Sequence, residues 1–115
     1  MFTIKNASRQ DLMADRTRAC GGLFSRLQGL LWSKKLRVKE ACWLKRCQAV
    51  HTFGMRYAID VCFLDKKNKV IGLAKNLGPN RFSPIFFKAH SALEFIAGSL
   101  ENCCLGDELK FEGDP

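Results

Sequence analysis

At 115 residues the chain can bury one hydrophobic core but not two, and a make-up of 47% hydrophobic and 26% charged residues excludes a disordered or fibrous polymer. The formal net charge of +8 comes from one half: residues 1–56 hold 12 Lys/Arg against 3 Asp/Glu (+9), and residues 57–115 hold 7 against 8 (−1), which sum to +8. No apolar run approaches the roughly 20 residues that span a bilayer, and MFTIKNASRQDLMADRTRAC contains no stretch of signal-peptide length. A single cytoplasmic domain over 1–115 is therefore expected, with its six cysteines (Cys20, Cys42, Cys47, Cys62, Cys103 and Cys104) as free thiols.

In chain order, Phe2 to Lys5 alternates apolar and polar residues and predicts a first strand. Leucines 23, 27, 30 and 31 fall on one face of a helix, with Gly29 inside the pattern as a point of close backbone approach. Ala41 to Arg46 predicts a short strand, and Gly54 a bend in the connection that follows. The clearest strand is Tyr57 to Leu64: Tyr57, Ile59, Val61 and Phe63 point one way and Ala58, Asp60, Cys62 and Leu64 the other, so it is expected to be central. A polar turn at 65–69 and renewed alternation from Val70 make 57–74 a hairpin.

Gly78, Pro79, Asn80 and Pro84 mark a longer loop, and Ala89 to Ala97 a further strand. Ser99 can cap a short helix running to Leu105, Gly106 can end it, and Glu108 to Phe111 closes the chain as a strand. The expected class is α+β: a curved, mostly antiparallel sheet or small partly open barrel with two short helices.

Three blocks in this order, SRLQGLLW (25–32), CQAVHTFGMRYAIDVCFLDKKNKVI (47–71) and ALEFIAGSLENCCLGDEL (92–109), resemble the domain of unknown function 192 family, an uncharacterised bacterial and archaeal family. The resemblance runs from about residue 2 to 111, and Arg26, Gly29, His51, Thr52, Met55, Asp60, Asp65, Gly98 and Gly106 fit its recurring pattern. Ala58 stands where many members have proline, and Ser99 where many have threonine. It implies a compact β-rich α+β domain and carries no activity, cofactor or catalytic residue. Many members begin with an export signal, and this chain shows none.

Asp60 is the most informative residue, because a carboxylate in an apolar strand must be paired, hydrogen-bonded, neutral or at the end of a cleft. It either fixes the 51–57 turn by accepting backbone or Arg hydrogen bonds, with Arg56 and Arg26 as partners, or serves as a base or ligand anchor. The leading expectation is a non-enzymatic binding or accessory domain. Its small polar cleft, lined by His51, Thr52, Arg56, Asp60 and Arg81, would take an anionic ligand or peptide, or an acidic protein. Arg26, Gly29, Gly54, Gly98 and Gly106 are assigned structural roles, and no cofactor or metal is assigned.

The alternatives are a small hydrolytic enzyme using Cys47 or His51 with Asp60, and nucleic-acid binding through Lys34, Lys35, Arg37, Lys39, Lys45 and Arg46, a run with only Trp43 interleaved. Zinc held by Cys42, Cys47 and His51 with Cys103 or Cys104 is a weaker pattern, because C-x4-C and C-x3-H fall short of paired C-x2-C knuckles. No phosphate-loop, dinucleotide or nucleophile-elbow motif is present.

Overall fold

The computed structural model describes residues 1–20 and 36–113. Seven strands follow in chain order: β1 (Phe2–Asn6), β2 (Asp11–Ala19), β3 (Glu40–Lys45), β4 (Ile59–Leu64), β5 (Val70–Leu77), β6 (Ser91–Ile96) and β7 (Leu109–Gly113). They form one sheet in the order β5-β4-β6-β3-β2-β1-β7. Every pairing is antiparallel except β2 with β3, and a parallel pair needs the long crossover that 20–39 supplies.

The sheet curls until its two edge strands touch at one end. Lys69 bridges Glu108, and the Val70 N–H donates to Asp107 O at 2.8 Å while the Leu109 N–H donates to Asn68 O at 3.0 Å. These bonds satisfy part of the backbone that an open edge would leave unpaired. The result is a curled half-barrel.

The described residues are all-β, which corrects the α+β expectation. The predicted helix at 99–105 is a series of turns, joined by bonds such as Cys103 N–H to Leu100 O at 3.1 Å and Asp107 N–H to Cys104 O at 3.1 Å. Asp107 takes the N–H of Cys104, which a helix would bond to Leu100 O, while Asp60 takes the N–H of Leu100. A seven-residue helix has too few internal bonds to outweigh them. The predicted helix on leucines 23–31, with Arg26, Gly29, Trp32, Lys34 and Lys35, lies outside the described residues. No helix among the described residues is long and apolar enough to cross a membrane.

Alternation along β4 feeds two cores, as its sequence requires. Cys62 and Leu64 join Ile4, Ala14, Leu93, Phe95 and Leu109 on the face the curled sheet encloses. Ile59, Val61 and Phe63 pack on the other face with Val50, Met55 and Ala89 from two long connections, 46–58 and 78–90. All six residues of β4 are buried. Those two connections therefore act as a cover over the outer core.

The cysteines are not all free thiols, and that expectation is also corrected. Cys20 and Cys42 form a disulfide, because the parallel pairing of Ala19 with Trp43 brings their Cα atoms to 5.7 Å, within disulfide reach.

Candidate functional site

The segment 48–54 runs antiparallel to 80–87 and is zipped to it by backbone and short side-chain bonds. The N–H of Thr52 donates to Arg81 O at 2.8 Å, Ser83 N–H to Val50 O at 2.9 Å, and Phe86 N–H to Gln48 O at 2.8 Å. The Thr52 hydroxyl donates to Gly78 O at 2.6 Å and accepts from the Arg81 N–H at 2.9 Å. Fully buried, Thr52 is thus the clasp between the two connections. Asn80 adds a second tie, its Oδ1 accepting the Gly54 N–H at 3.0 Å. Gly54 takes φ +83°, a left-handed turn that a side chain would strain.

This pairing carries an aromatic cluster. The Phe53 and Phe82 rings meet edge to face at 4.8 Å, and His51 lies 5.5 Å from Phe53 and 6.4 Å from Phe82. His51 Nδ1 accepts the Phe53 N–H at 3.3 Å. Phe82 is 71% exposed and Phe53 42%; Phe87, on the same connection, is 77% exposed. Residues 46–58 and 78–90 contain Arg46, Arg56, Arg81 and Lys88 and no Asp or Glu. All four cations are exposed.

Of the five candidate cleft residues, the structure joins His51, Thr52 and Arg81 through the paired segments, and Arg56 follows on the same connection as an exposed residue. Asp60 is elsewhere. It is 2% exposed on the enclosed face, where Oδ1 accepts the Asn76 N–H at 2.8 Å and Oδ2 accepts those of Gly98 at 3.0 Å and Leu100 at 2.9 Å. Among the described residues its partners are these three amides rather than a guanidinium. It fixes the end of β5 and the turn after β6, not the 51–57 turn. Gly98, at φ +96°, supplies the conformation that aims its N–H at the carboxylate.

Of the proposed nucleophile set, the Cys47 thiol donates to Ala49 O at 3.1 Å, His51 Nδ1 accepts the Phe53 N–H, and the Asp60 carboxylate accepts backbone amides. Cys42 is in the disulfide and offers no thiolate, and among the described residues no three His, Cys, Asp or Glu side chains converge on a metal position. Trp43, the one ring in the 34–46 basic run, packs against Phe2 at 5.5 Å and Phe111 at 5.0 Å, and Lys45 lies over it at 5.0 Å.

A cavity of about 170 Å³ opens beside the β1–β2 turn, lined by Asn6, Asp11, Lys39, Ser99, Glu101 and Asn102 among others. None of the five candidate residues lines it. Nearby, Asp107 is almost buried. Burial works against its charge, but hydrogen bonds from the Asn6 amide, the Cys104 N–H and Arg9 outweigh that and hold its carboxyl below the usual range.

The exposed phenylalanines are the part of the site that the sequence reading missed. Their signal was present as phenylalanines in connections rather than strands, within two acid-free segments.

Two solved structures share the fold. One is a protein of unknown function from Novosphingobium aromaticivorans DSM 12444, with a TM-score of 0.77 at 17% identity over 95% of this chain and 82% of that one. The other, from Sinorhizobium meliloti 1021 and described as a "putative transcription regulator", has a TM-score of 0.74 at 17% identity over 96% and 91%. No curated protein matches the chain. The DUF192 family model, "Uncharacterized ACR", matches residues 7–111, nearly the whole length, and the chain belongs to that uncharacterised family.

Proposed function

We propose that this protein is a non-catalytic binding domain that takes an anionic ligand or peptide on the surface formed by the paired connections 46–58 and 78–90. His51, Arg56 and Arg81 make contact, and Thr52 holds the framework behind them. The observation that carries this reading is the conjunction of a rigidly mounted, exposed ring cluster with four cations and no carboxylate on the same two segments. Such a field concentrates anions at its surface. The backbone bonds across the two segments mean that little ordering is left for binding to impose.

The test is fluorescence anisotropy of the full chain with two labelled polyanions, a polyglutamate peptide and an oligonucleotide. At least one is expected to bind, with weaker binding after Arg56→Ala plus Arg81→Ala and little change after Arg37→Ala plus Lys45→Ala. The opposite ranking would move the site to the 34–46 run. No binding by either polyanion would end the proposal.

A further inference from the structure

The rings on this surface narrow the class of anion. A carboxylate-rich partner needs cations alone, and the face of a benzene ring carries negative charge density that opposes a carboxylate. Yet three phenylalanines, Phe53, Phe82 and Phe87, stand exposed on the two cationic segments. Rings and cations together suit a ligand that alternates flat apolar faces with negative charges. An unpaired nucleic-acid strand is such a ligand: its bases stack on rings while its phosphates meet Lys and Arg. A duplex buries those base faces within its own stack.

The mounting fits the same task. The Phe82 ring is fixed by its edge-to-face contact with Phe53, at an interplanar angle of 76°, while the ring itself stays 71% exposed. Its backbone is held on both sides, through the Arg81 and Ser83 bonds to Thr52 and Val50. The cations Arg46, Arg56, Arg81 and Lys88 lie on the same two segments, with no acid to repel a phosphate.

From this geometry we infer that the anionic ligand of the paired-connection surface is single-stranded nucleic acid, with Phe82 as a stacking residue and Arg56 and Arg81 as phosphate contacts. The inference rests on the binding surface proposed above and goes beyond it in naming the ligand.

The full chain is titrated by anisotropy against an oligothymidylate of about 15 nucleotides, a duplex of the same length, a polyglutamate peptide and phosphatidylserine vesicles. The oligothymidylate is expected to bind tightest. Phe82→Ala should weaken it about tenfold or more and Phe82→Tyr should preserve it, as loss or retention of one stacking ring requires. Raising salt fourfold should weaken it about sevenfold if two phosphates are contacted and about fiftyfold if four are.

Polyglutamate binding as tight as oligothymidylate, or oligothymidylate binding unmoved by Phe82→Ala, would overturn the inference and leave the anion-binding surface standing. Preference for the duplex or for vesicles would overturn it in the same way. If none of the four binds, the inference and the proposed function fall together.

Discussion

Gly72 leaves the space that the Phe86 ring fills: a Cβ at position 72 would lie 2.4 Å from Phe86 Cδ1, closer than real side-chain contacts allow. Phe86 in turn stacks on buried Phe63 at 4.5 Å and anchors the 78–90 connection to β5 and β4. Gly72→Ala should therefore push the ring off its seat and destabilise the protein by about 1–3 kcal/mol, the usual cost of overpacking. Urea unfolding measures this, and Phe86→Ala in the Gly72→Ala background should show a smaller penalty for the added methyl. An unchanged midpoint for Gly72→Ala would contradict the seat.

Asp60→Asn replaces one acceptor oxygen by a donor, which must then face either the Asn76 N–H or the pair from Gly98 and Leu100. An unsatisfied buried donor costs about 1–3 kcal/mol. Thermal or urea unfolding at neutral pH should show that loss. Amide hydrogen exchange should speed up at residues 76, 98 and 100 before it does at β2. Full stability in Asp60→Asn would contradict the role given to this carboxylate.

Alternation made the β4–β5 hairpin legible, because 57–64 is apolar on both faces apart from Asp60 and the 65–69 turn is polar, although β4 begins at Ile59, β5 runs on to Leu77, and the pair lies at one end of the strand order rather than at its centre. The turn also closes on its own chemistry, with Asp65 Oδ1 accepting the Lys67 and Lys69 N–H groups. By contrast β2, DLMADRTRA, shows no usable alternation, since only Met13, Ala14 and Thr17 are buried. Its strand conformation is imposed by β1 on one side and β3 on the other. Asp60 was legible as an anomaly, but its partners lie 16, 38 and 40 residues away and are backbone groups, which carry no sequence signature. The contact of Phe53 with Phe82 depends on a loop pairing that no local pattern records.

Acid stability should follow two carboxylates. Asp65 is held below the usual range by the Lys69 amide foremost, against some desolvation and with help from the Lys67 amide; Asp107 is held low as described above. A depressed folded pKa stabilises above the unfolded value, about 3.9 for Asp, and that stability is lost as pH falls through the folded value. Asp107→Asn should thus be less stable than the parent at pH 7, and the gap should narrow as pH falls below the usual carboxylate range. A gap that stays constant over that span would contradict the linkage.

The cysteines give a direct count. Denatured without reductant, the protein should titrate four thiols, Cys47, Cys62, Cys103 and Cys104, out of six cysteines. Six would contradict the Cys20–Cys42 disulfide. In the native state iodoacetamide should reach exposed Cys104 first. Its neighbour Cys103 should lag, since burial foremost, with Asp107 nearby, pushes that thiol up to about 11.

A nitrogen-15 amide-shift titration of the full chain with oligothymidylate and with polyglutamate locates the binding surface residue by residue. Shifts are predicted to concentrate at 51–56 and 80–88, with the ring-bearing Phe53 and Phe82 among the largest. Shifts centred on 37–46 or on the cavity at 98–103, or none with either polyanion, would contradict that location.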